Sequence, residues 1–153
     1  MPTDSVVPSG FAPFSAIYQS SGFEARAFEL YCEPRLIGQT KRFGFRAEPR
    51  HINLNGVPHG GVLVAVIDTM MGSVVLDVLD GQRRCATISL TCDFLNASKV
   101  GDWLEGEVCL EKVGRTVAFT SGKIRSGQLL IVAASAKWAI VDGQRVVPHK
   151  VCA

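Results

Sequence analysis

The chain carries its longest apolar run at residues 62–79, where only Asp68, Thr69, Ser73, Asp77 and one glycine interrupt aliphatic side chains and methionine. Many of these residues are β-branched, which weakens helix propensity. The 18 positions nevertheless pass without a turn signal, too long for a strand, so the run predicts a helix. On that helix Thr69, Ser73 and Asp77 fall at i, i+4 and i+8 and form one thin polar stripe. The rest is apolar almost all round, the mark of a helix buried on most sides.

Beyond residue 86 the period drops to two. Ile88, Leu90, Cys92 and Phe94 alternate with Thr87, Ser89, Thr91 and Asp93, which predicts a half-buried strand. Leu104, Val108 and Leu110 alternate with Glu105, Glu107, Cys109 and Glu111 in a second. Residues 116–125 and 129–141 read as a third and a fourth, with turn signals at Gly114, Gly127 and Gly143. Short turns between successive strands predict a four-strand antiparallel meander. Upstream, residues 30–34 and 41–47 read as two more strands, the latter alternating Phe43 and Phe45 with Arg42, Gly44 and Arg46. Residues 11–18 predict a short helix. The fold class is α+β: an antiparallel sheet of about six strands wrapped around one long central helix.

Composition narrows the class. The chain has 153 residues, 47% hydrophobic and 20% charged, which fits one globular domain. Residues 1–12, with Pro2 and Pro8, read as a flexible arm, and residues 13–153 as a single domain. A net charge of +2 argues against nucleic acid. Residues 62–79 barely reach the length of a membrane span. They hold two acids, each costing roughly 2.5–3.5 kcal/mol near mid-bilayer, so no membrane is expected. The five cysteines Cys32, Cys85, Cys92, Cys109 and Cys152 follow no zinc spacing and read as reduced. With no signal-peptide pattern at the N-terminus, they predict a cytoplasmic setting. His51, His59 and His149 show no ligand cluster, so no metal is expected.

The chemistry gathers at the start of the apolar run, NLNGVPHGGVLVAVID, residues 53–68. A His-Gly-Gly entry to a helix places unpaired N–H groups and partial positive charge where backbone approach is close. That is an anion site, or an oxyanion site for a polarised carbonyl. Asp68 stands among apolar neighbours, where an unpaired carboxylate is costly and its pKa rises. It lies nine residues beyond His59, about 13 Å along a helix axis. That is too far to act on a carbonyl held at Gly60 of the same chain. Two helices packed antiparallel across a two-fold axis would bring Asp68 of one copy to Gly60 of the other. Taken singly, His59 could bond a loop, and Asn53 and Asn55 could be turn residues.

The spacing resembles the N-x(2)-G-x(2)-H-G-G-x(6)-D signature of the PaaI-like (phenylacetic acid degradation) thioesterases, in the hotdog-fold acyl-CoA thioesterase superfamily. FGFRAEPRH at residues 43–51 and TISLTCDFLNASKVGD at residues 87–102 are similar to neighbouring family segments. The resemblance spans about residues 28–141. It implies a hotdog fold, a homodimer with a continuous sheet and often a dimer of dimers. It also implies an acyl-CoA substrate and no cofactor. Asp68 would be nucleophile or general base, and Gly60 would offer its N–H to the thioester oxygen. Asn53 and His59 would orient the carbonyl or water, and Thr87 would hold the attacking water. CoA phosphates call for basic residues, with Lys41, Arg42, Arg46, Arg50, Arg83, Arg84, Lys99, Arg115 and Lys123 as candidates. The same fold hosts hydratases, dehydratases and non-catalytic acyl-CoA-binding proteins, which stand as alternatives.

Overall fold

The computed structural model describes residues 6–20 and 22–143; His149, Cys152 and the first five residues of the N-terminal arm lie outside them. A short strand β1 (Ala12–Pro13) leads into helices α1 (Phe14–Tyr18) and α2 (Phe23–Ala27). Strands β2 (Leu30–Cys32) and β3 (Thr40–Arg46) follow, then a 3-10 turn at Pro49–His51 and the long helix α3 (Gly60–Val78). Four long strands close the chain: β4 (Arg83–Phe94), β5 (Trp103–Val113), β6 (Val117–Ser126) and β7 (Leu129–Asp142). All pairings are antiparallel, in the order β1-β2-β3-β5-β6-β7-β4.

Helix α3 forms where its length called for one, and burial overrides its β-branched composition. Val66, Ile67, Met70, Met71, Val74 and Val75 have no exposed surface. They pack on alternate residues of the strands: Leu104 and Val108 in β5, Ala118 and Ile124 in β6. Two glycines let the helix come close. A Cβ at Gly122 would lie 2.9 Å from Ile67 Cδ1, and one at Gly106 would strike Met70 Sδ. The curled sheet with one helix in its grip is the hotdog arrangement. The apolar length that resembles a membrane span is this core helix, lying against the sheet.

One expectation needs correction. The four long strands are not a simple meander. β5, β6 and β7 follow one another, but β4 pairs with β7 and stands at the sheet edge. Residues 95–102 therefore cross three strand spacings, about 14 Å at 4.8 Å each, well within the reach of eight residues. The structure also supplies the partners of the polar stripe of α3. Thr69 and Ser73 turn their hydroxyls back to the carbonyls of Ala65 and Met70, both at 2.8 Å. Asp77 instead pairs across the core with Lys41.

Candidate active site

The loop before α3 is built by two side chains. Asn53 Oδ1 accepts the N–H groups of Asn55 at 2.8 Å and Val57 at 3.4 Å, an Asx-type turn. His51 is buried; its Nδ1 accepts the Glu48 N–H and its Nε2 donates to Ala27 O at 3.0 Å, fixing the orientation of the ring. The His51 carbonyl then accepts the His59 N–H at 2.8 Å, which delivers the chain to the helix. His51 was not among the expected site residues; Glu48 three positions before it, forming a capping box, is the signal that marks it.

At the helix start, His59 is the N-cap. Its Nδ1 accepts the Gly61 N–H at 2.8 Å, and its carbonyl accepts the Val62 and Leu63 N–H groups. Gly60 is left as the first helical residue, and its N–H has no partner among the described residues. Gly60 lines a cavity of about 380 Å³ together with Leu63, Phe94, Leu95 and Ser98. Ser98 Oγ there is buried without a hydrogen bond. His59 and Gly60 thus stand together at the helix start, while Asn53 serves as the turn residue that precedes them.

Asp68 lies elsewhere. Its Oδ1 accepts the Thr87 hydroxyl at 3.0 Å. Partial burial pushes its carboxyl above the ordinary range, and the Thr87 bond offsets part of the rise. That contact depends on a β-bulge. The β4–β7 register slips between Thr87 and Ser89, so Ile88 is an extra residue. Cys85 and Thr87 face the helix on odd positions: Cys85 Sγ reaches Gly72 O at 3.5 Å. Past the bulge, Leu90 and Cys92 pack on the core from even positions, and Phe94 meets Gly60. Simple alternation placed Thr87 opposite Leu90; the bulge puts both on the helix side.

Asp68 and Thr87 line a second groove, of about 250 Å³, shared with Phe14, Tyr18, Gly72 and Trp138. The Gly60 cavity and the Asp68 groove have no lining residue in common. One chain therefore carries both halves of the expected site without joining them. Meanwhile β4 is a 12-residue edge strand with exposed Ile88 (56%) and Phe94 (51%). A long apolar edge is a surface that native proteins normally cover.

At the far end of the Asp68 groove is a charged cluster that sequence reasoning missed. Lys41 has no exposed surface; its Nζ lies 2.9 Å from Asp77 Oδ2 and donates to the Tyr18 hydroxyl, which donates to Asp77 Oδ1 at 2.8 Å. Lys41 shares the parity of Phe43 and Phe45 in β3, and that alternation was the available signal. It is thus withdrawn from any role at a CoA phosphate. Arg42 pairs with Glu33 and Arg50 with Glu48, and Arg46 lies over the Trp103 ring while bonding Gly101 O. Burial pushes the Cys85 thiol up to about 11, so it stays protonated beside Asp68. The four described cysteines are free, and no cluster of three metal-binding side chains occurs among the described residues.

The sheet wrapped on α3 makes this a hotdog protein, and proteins of known sequence agree. The family model for the thioesterase superfamily matches residues 55–133, more than half of the chain. A candidate esterase of Pseudomonas aeruginosa is 30% identical over 129 residues, covering 84% of this chain and 93% of that one. The chain belongs to the thioesterase superfamily. Among solved structures, a thioesterase of Haemophilus influenzae superposes with TM-score 0.75 at 14% identity, over 86% of this chain and 92% of that one. A candidate thioesterase of Ralstonia eutropha, related to phenylacetic acid degradation, gives 0.69 at 23%, over 82% and 96%. A Streptococcus pneumoniae thioesterase-like protein, solved with coenzyme A, gives 0.67 at 21%, over 77% and 92%.

Proposed function

We propose that the protein is an acyl-CoA thioesterase whose sites form between two copies of the chain. The observation that carries this reading is the division of the site: an uncapped Gly60 N–H in one cavity, the Asp68–Thr87 pair in another. Pairing β4 with β4 across a two-fold axis would continue the sheet, cover Ile88 and Phe94, and set the two α3 helices antiparallel. Gly60 of one copy then meets Asp68 of the other. Coenzyme A in the S. pneumoniae protein of the same fold makes it the carrier to test first.

The chemistry needs no metal, because a thioester is already an activated acyl donor. Water held by the Thr87 oxygen attacks the thioester carbonyl as Asp68 takes its proton, or Asp68 attacks directly and water releases the acyl group. In either route a C–O bond forms, charge grows on the carbonyl oxygen facing the Gly60 N–H, and the C–S bond breaks. The departing CoA sulfur takes a proton, leaving a free acid and a thiol. A carboxyl raised by burial is the stronger base for this work.

Free-thiol release from a panel of acyl-CoAs tests the activity. Asp68→Asn is expected to lower kcat by about 10²–10⁴-fold, the usual contribution of a positioned base. A wild type silent on every thioester sinks the enzyme reading; a variant as fast as wild type sinks the mechanism. Complementation tests the shared site. Asp68→Asn and Gly60→Val are each inactive as homodimers, yet mixing them after subunit exchange restores activity, since one site per hybrid is intact. No recovery in demonstrated hybrids refutes the sharing.

A further inference from the structure

We propose that the groove beside Asp68 is an acyl site for neutral acyl groups no larger than about one ring, and that Tyr18 sets this limit. The proposal rests on the thioesterase reading and adds the substrate class. From α3 the groove is lined by Asp68, Thr69, Gly72, Ser73 and Leu76, one stripe running from the carboxylate toward the helix C-terminus. Ser73 stands five residues past Asp68, about 7.5 Å along the axis. Phe14 and Tyr18 of α1 line the same groove, their ring centroids 4.4 Å apart.

Tyr18 is not free to swing. It is buried, and its hydroxyl both donates to Asp77 and accepts from Lys41. Moving the ring would strip a hydrogen bond from each member of the Lys41–Asp77 pair, of which Lys41 is fully buried. Burial also raises the phenol pKa, so the hydroxyl keeps its proton and the clamp persists. The groove as a whole holds about 250 Å³. A dry cavity of about 150 Å³ is enough for benzene, so the groove takes a single ring with a short linker or a comparably small chain. Among the described residues its lining holds two carboxylates, Asp68 and Glu24, and no basic side chain. An acyl group ending in its own carboxylate would meet like charge.

The test uses non-hydrolysable thioether analogues of CoA with alkyl arms graded from acetyl to palmitoyl length, a phenylacetyl analogue and a succinyl analogue. Binding is read by calorimetry, and thiol release from the matching thioesters is followed in parallel. Wild type is expected to gain affinity with length up to a break, then lose at least about tenfold, and to bind the succinyl analogue weakly. Tyr18→Ala moves the break to longer arms. Tyr18→Leu, which keeps an apolar filler, moves it the same way and serves if the alanine variant does not fold. A break unchanged in a folded variant, or wild type holding long arms as tightly as short ones, overturns the proposal. Binding with a break but no thiol release at any length defeats the hydrolase reading and leaves the limit standing. Thiol release at equal rates for all lengths does the reverse.

Discussion

Asp77→Asn isolates the clamp on Tyr18. The substitution leaves shape nearly unchanged but removes the charge opposite Lys41, whose Nζ is fully buried 2.9 Å from Asp77 Oδ2. Removing one partner of a buried pair costs about 3–5 kcal/mol, because the other charge stays behind uncompensated. The Asp77 side chain is 20% exposed, and the asparagine oxygen still accepts one bond, so the lower end applies, about 3 kcal/mol. In a chain of this size 1 kcal/mol moves Tm by about 2–4 °C, so the fall is about 6–12 °C. Urea unfolding at one fixed protomer concentration measures it, with m unchanged if the transition remains two-state. The double variant Lys41→Met, Asp77→Leu removes both charges and is expected to recover most of the loss. A loss under about 1 kcal/mol for Asp77→Asn would class the pair with surface ion pairs and refute the claim that it pins Tyr18.

Two further predictions bear on the site. Thr87→Val removes the hydroxyl that donates to Asp68; that bond favours the charged carboxylate, so its loss raises the pKa further. The rate, which needs the carboxylate ionised, falls as pH drops through this pKa, so the acid limb of kcat/KM against pH moves to higher pH in the variant; an unmoved limb counts against the Asp68–Thr87 pairing. Ile88→Asp puts a charge on the exposed edge of β4 and is expected to leave protomer stability within about 0.5 kcal/mol while shifting sedimentation from dimer to monomer and abolishing turnover. A dimer that persists at low micromolar concentration argues for a different interface.

Much of the fold was legible in the chain because its signals are local. The apolar length of residues 62–79 pointed to a helix, which the structure forms at Gly60–Val78, and alternation placed Leu104, Val108 and Leu110 on the buried face of β5 as expected. Alternation reports which face a residue takes, not which strand stands beside it. The loop at residues 95–102 is long enough either to turn back or to cross the sheet, so the edge position of β4 was not readable. Charge misled for a related reason. Lys41-Arg42 looks like a surface pair in one dimension, yet the partner that draws Lys41 inward lies 36 residues away on α3.

The site shows the limit most clearly. The spaced residues Asn53, His59, Gly60 and Asp68 can be read directly, and the rise per residue of a helix shows that Gly60 and Asp68 stand apart. What could not be read is how Thr87 reaches Asp68. Strict period two sends Thr87 to the face opposite Leu90 and Cys92, away from the helix. A single extra residue, Ile88, reverses the parity. Backbone geometry chooses its position, and no side chain announces it. The same bulge lies in the edge strand proposed to pair with a second copy, so the feature that aims Thr87 at the carboxylate would also shape the edge across which Gly60 arrives. Straightening β4 by deleting Ile88 would therefore disturb both the acid's partner and the subunit contact at once, whereas Thr87→Val should disturb only the first.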